Sequence, residues 1–298
     1  VPANSPAMSE TRPRDAVTWR EVLARTEAQV GDRLVAKWLC EHASGADNAD
    51  QFREIFHDVV SARAGVHLDH MVERVLNGEP VQYAMGRWAF RRLDLLVDKR
   101  VLIPRPDTET LVEVALEILD GKPATVVDLG TGSGAVGLAL LDESPRGSLT
   151  VWMTDVSDDA LDVARANAAG IGLAASGARF AQGSWFEALP DDLRGKIDLI
   201  VSNPPYVAVG DPDLEESVEK WEPHLALFGG ADGLNAYREI LAGAKEWLAP
   251  GGSIALEIGH RQEGDVYSIL CANGFTVEGA DADPGGHLRA VHARLYGS

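Results

Sequence analysis

Residues 126–140, VVDLGTGSGAVGLAL, decide the fold. Val126, Val127 and Leu129 read as a buried strand, Gly130 to Gly134 as a glycine-rich turn, and the apolar run from Ala135 as the start of a helix. That succession opens a doubly wound α/β sheet. Gly130, Gly132 and Gly134 let the backbone approach a ligand where a Cβ would collide, Thr131 sits among them, and the helix N-terminus offers free N–H groups. Asp155 closes the next strand, 21 residues past Gly134, where a carboxylate can accept both hydroxyls of a ribose. The spacing is Gly-x-Gly-x-Gly, whereas dinucleotide sites prefer Gly-x-Gly-x-x-Gly. Asp128, just before the turn, would repel a pyrophosphate but suits a cofactor carrying an amino acid's ammonium and a sulfonium; its blander reading is a turn cap.

From Gly121 onward strand and helix alternate, the mark of a parallel sheet covered on both faces. Strands are predicted at 125–129, 149–154, 178–182, 197–202, 253–258, 275–278 and 289–295, with helices beginning near Gly134, Ser157, Asp232 and Arg261. The last two strands are joined only by DADPGGH and should pair antiparallel. Five parallel strands and a terminal hairpin make an α/β, class I S-adenosylmethionine-dependent methyltransferase (Rossmann-like) sheet. It follows a small N-terminal helical bundle, in which Trp19, Val22 and Leu23, then Leu34, Val35, Trp38 and Leu39, then Phe52, Ile55, Phe56, Val59 and Val60 fall at helical spacing. Asn48 and Gln51 read as a capping box, and Asn77-Gly78 as the end of the last bundle helix. The period changes at Val81, and Trp88, Phe90, Leu93, Leu95 and Val97 predict a hairpin. Asp107 and Thr108 are expected to cap the helix that follows the Pro104-Arg105-Pro106 segment. The resulting plan is a disordered leader at 1–14, a helical substrate-recognition domain at 15–80, a β-hairpin linker at 81–106 and a catalytic domain at 107–298.

The 298 residues carry 46 acidic against 27 basic side chains, a formal charge of -19, which argues against direct nucleic-acid binding. No stretch is long and apolar enough to span a membrane. Cys40 and Cys271 are expected to be two buried free thiols, which fits a reducing cytoplasm. The eight histidines form no ligand spacing, and no structural metal is expected.

The chemistry is carried by IDLIVSNPPYV, which sets Asn203, Pro204, Pro205 and Tyr206 at the C-terminal end of a buried strand, where open α/β sheets bind ligands. The prolines hold the Asn203 side-chain oxygen and the Pro204 carbonyl as a rigid pair of acceptors for a planar NH₂ group. Tyr206 offers an aromatic face to such an acceptor and to a sulfonium methyl.

At these residues the chain resembles the bacterial release factor glutamine methyltransferases, the HemK family. The resemblance covers about Asp32 to the C-terminus and rests on NGEPVQYAMGRWAF, LIPRPDTETLVE, DLGTGSG, SNPPY, WEPHLALFGGADGLNAYREI and LAPGGSIALEIGHRQ. It implies methylation of the side-chain amide nitrogen (N5) of the glutamine in the Gly-Gly-Gln loop of peptide chain release factors. Asn203 and Pro204 would hold that amide with Tyr206 and Phe90 packed around it, the Gly130–Gly134 loop and Asp155 would bind cofactor, and the N-terminal bundle would recognise the release factor. Where members often carry an acidic residue, this chain has Ser184 before Trp185, so adenine would be met by a hydroxyl, with Trp185 assigned by packing. A paralogue acting on a ribosomal protein glutamine shares this chemistry. Adenine-N6 methylation would want a basic recognition region.

Overall fold

The computed structural model describes residues 17–46 and 48–296, so the leader predicted for 1–14 lies outside the described residues. The chain divides into two compact units, one ending at Met85 and the other beginning at Gly86.

The first unit is helical. Helix α1 (Trp19–Val30) starts in a reciprocal capping box, the Thr18 hydroxyl accepting the Glu21 N–H while the Glu21 carboxylate accepts the Thr18 N–H. Helix α2 (Arg33–Ser44) is capped by Asp32, α3 (Ala49–Glu54) by Asn48, and α4 (Ala62–Leu76) by Ser61, with Asn77 closing α4. A short α5 (Val81–Met85) follows. Trp19, Val22, Leu39, Phe52, Leu68, Met71 and Val72 form the core, with Trp19 and Phe52 edge to face at 5.9 Å.

Three readings change here. The apolar period through Val60 does not continue the helix, which stops at Glu54. The Val60 N–H goes instead to the Val17 carbonyl at 2.9 Å, and Val59 bridges Thr18. Leu34, in the first turn of α2, stays exposed. Val81 begins a helical turn rather than the hairpin, because the Pro80 carbonyl accepts the Ala84 N–H at 3.0 Å.

The second unit opens with the hairpin β1 (Arg87–Phe90) and β2 (Leu93–Leu96). A 3₁₀ turn at Pro106–Thr108 leads into α6 (Glu109–Leu119). Then come β3 (Ala124–Leu129), α7 (Ala135–Glu143), β4 (Leu149–Asp155), α8 (Asp158–Ile171), β5 (Ala178–Gln182) and β6 (Ile197–Ser202). After these follow α9 (Glu216–Trp221), α10 (His224–Leu227), α11 (Asn235–Trp247), β7 (Leu248–Glu257), α12 (Glu263–Ala272), β8 (Thr276–Ala282) and β9 (Leu288–Arg294). The sheet order is β5-β4-β3-β6-β7-β9-β8, parallel through β7, with β9 antiparallel to both its neighbours. Side chains alternate across β3. Val126 packs on one face with Leu111 and Val112 of α6 and Leu138 of α7, and Val127 and Leu129 pack on the other with Tyr237, Ile240 and Leu241 of α11. Strand order reverses between β3 and β6, which opens a crevice at their C-terminal ends.

Thr108 does not cap α6, since no side-chain capping bond forms at either start. Asp107 is drawn to Arg289 at 2.7 Å and the Thr108 hydroxyl accepts from Asn203. Cys40 is buried, and burial pushes its thiol up to about 11; Cys271 is exposed, against expectation. In α12 the inward positions are Val266 and Leu270, and Cys271 lies one position round from Leu270. No helix among the described residues is long and apolar enough to cross a membrane.

Asn167 in α8 ties the hairpin to the glycine-rich turn. Its Oδ1 accepts the Leu96 N–H at 2.6 Å, and its Nδ2 donates to the carbonyls of Leu96 at 3.1 Å and Ser133 at 2.9 Å. Asn167→Ala removes the partner of these backbone groups, the Ser133 carbonyl among them buried, and should cost about 1–3 kcal/mol, read as a lowered urea midpoint. A midpoint equal to that of the parent would show that the three bonds contribute nothing net.

Candidate functional site

The glycine-rich turn is shaped by the strand ends beside it. The Thr154 carbonyl accepts the N–H groups of both Gly130 and Thr131 at 2.9 Å. Gly134 takes a left-handed φ of 83° as the residue before α7, where a Cβ would come within 2.9 Å of Leu138. Asp128, 1% exposed, accepts on Oδ2 from the Thr131 hydroxyl at 2.6 Å and from the Gly137 N–H at 3.0 Å. Burial pushes its pKa up to about 6, the two hydrogen bonds pull against that, and the charge of Asp155 adds to it. The Asp155 carboxylate accepts the N–H groups of Gly132 at 3.0 Å and Ser157 at 2.9 Å, one on each oxygen. Burial raises its pKa too. Val156 also bonds to it through its backbone, and a carboxylate has about four acceptor sites, so capacity for a ligand hydroxyl remains.

Asn203 follows β6 directly, and the Ser202 hydroxyl ties that strand end to the Leu129 carbonyl at 2.7 Å. The Asn-Pro-Pro-Tyr turn is then enclosed by Gly229–Gly233. A Cβ on Gly229 would stand 2.4 Å from the Pro205 carbonyl oxygen, and one on Gly233 would stand 2.3 Å from that of Tyr206. The Val207 N–H donates to Leu227 and the Gly229 N–H to Val207, both at 2.9 Å, and Gln262 donates to the Tyr206 carbonyl at 3.0 Å. Backbone packed this closely holds the turn without help from a ligand.

A cleft of about 450 Å³ runs over these strand ends. Among the predicted residues it brings together Asp128, Gly130, Thr131, Gly132, Asp155, Ser184, Trp185, Asn203 and Pro205. Gly134, Pro204, Tyr206 and Phe90 are not in its lining. Phe90 is a core residue, 1% exposed and packed with Leu93, Leu95 and Leu111, because the inward face of the hairpin supplies the core. Tyr206 is half-buried, and its phenol donates to the Glu257 carboxylate at 3.2 Å rather than opening onto the cleft.

Sequence reasoning missed three charged lining residues. Glu239 accepts the Trp185 indole N–H at 2.6 Å and holds that ring over Gly130. Arg105 pairs with the buried Glu222 at 2.5 Å, and Glu222 also accepts the Ile103 N–H at 3.0 Å. That pair joins two of the quoted motifs, which was the available signal. Arg100 had none, since its partner Asp98 is simply local. No cluster of three or more histidine, cysteine or carboxylate side chains suited to a metal occurs among the described residues.

Comparison with known proteins matches residues 19–86 to the PrmC N-terminal domain and residues 107–218 to the methyltransferase small domain. The release factor glutamine methyltransferase of Xylella fastidiosa (strain Temecula1) is 44% identical over 82% of this chain and 86% of its own length. That of Burkholderia pseudomallei is 38% identical over 97% of this chain and all of its own. A crystal structure of a methyltransferase from Pyrococcus furiosus superposes with a TM-score of 0.52 at 18% identity, covering 75% of this chain and 97% of that one, which speaks to the fold.

The state of Asp128 has a measurable consequence. Its folded pKa of about 6 lies above the ordinary 3.8, so the native chain takes up a proton between those values that the unfolded chain does not. Above pH 6 the buried anion costs about 3 kcal/mol, and the cost is relieved as pH falls. Asp128→Asn removes this relief, so the stability difference between parent and variant should move in the parent's favour from pH 7 to pH 5. A difference in urea midpoint that stays constant would return this carboxyl to the ordinary range.

Proposed function

This chain belongs to the family of release factor glutamine methyltransferases, and from that premise we propose that Asn203 and Pro204 hold the reacting glutamine amide. The reaction moves a methyl group from S-adenosylmethionine to the side-chain amide nitrogen of the glutamine in the Gly-Gly-Gln loop of peptide chain release factors. One observation carries the assignment. The Asn203 Nδ2 is spent on the Thr108 hydroxyl at 3.2 Å, so its Oδ1 is the atom left to accept a proton from a ligand NH₂ at the cleft.

An amide nitrogen is a weak nucleophile because its lone pair is delocalised. Two fixed acceptors, Asn203 Oδ1 and the Pro204 carbonyl, can take its two N–H groups and turn the lone pair toward the methyl donor. The gain comes from orientation and from dipoles already aimed at the positive charge that nitrogen acquires. S-adenosylmethionine supplies an electrophilic methyl on a sulfonium. The cleft would hold it with Asp155 meeting the ribose, Asp128 and the glycine turn the amino-acid end, and Ser184 with the Glu239-held Trp185 the adenine. Tyr206 holds the turn through Glu257. We assign docking of the release factor to residues 15–80, which contain none of these groups. The compartment proposed is the cytoplasm, consistent with two free thiols.

Asn203→Ala should lower kcat by on the order of 10²–10³ with cofactor affinity little changed; turnover near the parent rate would sink the assignment. Asp155→Ala loses charged hydrogen bonds worth about 1.5–3 kcal/mol, so cofactor should bind roughly tenfold or more weakly by calorimetry. Unaltered affinity would move the ribose contact elsewhere.

A further inference from the structure

One buried acid beside the Asn-Pro-Pro-Tyr turn has no part in the reaction as described. Glu257 is the last residue of β7 and is 0% exposed. Its Oε1 accepts the Tyr206 phenol at 3.2 Å, the Thr108 hydroxyl also bonds to its carboxylate, and Oε2 is buried without a close partner. Thr108 in turn accepts from Asn203 Nδ2. These contacts run through three separate parts of the chain, the end of β7, the turn before α6 and the residue after β6. We propose that Glu257, acting through Thr108, is the positioning residue that fixes which way the Asn203 amide faces. The proposal rests on Asn203 being the acceptor for the substrate amide.

The argument is one of hydrogen-bond polarity. The oxygen and nitrogen of an asparagine amide nearly superpose when it flips, so its surroundings alone choose the orientation. A flipped Asn203 would present an NH₂ to the substrate NH₂, and no hydrogen bond would form. A hydroxyl has a single proton, so Thr108 can either donate to an Asn203 oxygen or accept from an Asn203 nitrogen, provided something else decides where its proton goes. An ionised carboxylate only accepts. Glu257 therefore claims the Thr108 proton and leaves a lone pair facing Asn203. The amide must meet that lone pair with Nδ2, which turns Oδ1 to the other side.

The charge state of Glu257 makes this polarity sensitive to pH. Burial raises its pKa to about 7. Thr108 and Tyr206 lower it, Asp107 raises it and Arg289 lowers it. Arg289 is itself paired with Asp107 at 2.7 Å and Asp283 at 2.9 Å, and the Tyr237 phenol donates to the Glu257 backbone carbonyl at 2.8 Å. Once protonated, the carboxyl can donate to Thr108, and the Asn203 orientation is no longer compelled. The orienting effect is thus present above pH 7 and lost below it.

The test uses the full chain with S-adenosylmethionine and intact release factor, comparing Thr108→Val, Thr108→Ser and Glu257→Gln. Thr108→Val should lower kcat by up to about 100-fold, with the release factor KM and cofactor affinity little changed. Thr108→Ser should restore most of the rate. Glu257→Gln, whose amide can donate to Thr108, should lose rate as the valine variant does. It should also lose the rise in kcat through pH 7, whereas any titration of Asp128, near 6, persists. On an Asn203→Ala background Thr108→Val should cost nothing further. If Asn203→Ala is slow while Thr108→Val and Glu257→Gln turn over at the parent kcat, the positioning role is overturned and the Asn203 assignment stands. An additional full loss from Thr108→Val on Asn203→Ala would place the effect elsewhere and overturn it as well. So would a valine variant that also loses cofactor affinity and stability and is not rescued by serine. Full activity in Asn203→Ala itself would remove the assignment on which the proposal rests.

Discussion

Asp128, next to last in the central strand β3, lies almost wholly out of water, where an unpaired carboxylate costs several kcal/mol. Its partners are the Thr131 hydroxyl and the Gly137 N–H, so the chain between strand and helix must fold back over the strand end to supply them. The rest of the cofactor half follows from that closure. Gly137 has no room for a side chain, since a Cβ would stand 2.8 Å from Met153 Cε, and α7 therefore lies close against β3 and β4. With the helix seated, the Gly130 and Thr131 N–H groups meet the Thr154 carbonyl and the Gly132 N–H meets Asp155. One buried acid thus organises the turn while a second, at the end of the neighbouring strand, is presented to the cleft.

The acceptor half is built differently, from backbone packed on backbone. Pro204 and Pro205 limit the turn after β6, and Gly229 and Gly233 let a second loop approach the Pro205 and Tyr206 carbonyls more closely than any side chain would permit. Gln262 completes the enclosure, accepting the Gly259 N–H at 3.0 Å while donating to Tyr206. The two halves meet where the sheet order reverses, because β3 and β6 are neighbours in register and Gly130 and Asn203 are the residues next beyond them.

The centre of the sheet was legible because β3 and β6 are largely apolar runs flanked by glycine or proline, and the 178–182 and 197–202 strands fall on the predicted bounds. Asp128, Asp155 and Asn203 fall at or beside strand ends, as the sequence places them, and all three line the cleft. What failed was contact between segments distant in sequence. Alternation put Phe90 on a face but could not say that this face was the core. Thr108 has the residue type and place of a helix cap, yet Asn203, 95 positions on, takes its hydroxyl. Glu257 lies in an apolar strand and carries no local signal at all. Its meaning appears only when β7, the turn before α6 and the end of β6 are brought together.

That arrangement keeps the negative charge of Glu257 two hydrogen bonds, by way of Thr108, behind the proposed substrate contact. A carboxylate set directly against the reacting amide would pair with a cationic methyl donor before the reaction as well as during it, and such uniform binding does not lower the barrier. Neutral oxygens respond differently. On the proposed assignment, Asn203 Oδ1 would interact modestly with a neutral NH₂ and more strongly as that nitrogen becomes positive, so its effect would be concentrated in the transition state. The charge of Glu257 is then used for direction alone, to decide which end of an amide faces the cleft. In a dry site that is a task for a charge, because a neutral partner such as an amide can donate as readily as it accepts and would leave the chain of hydrogen bonds free to run either way.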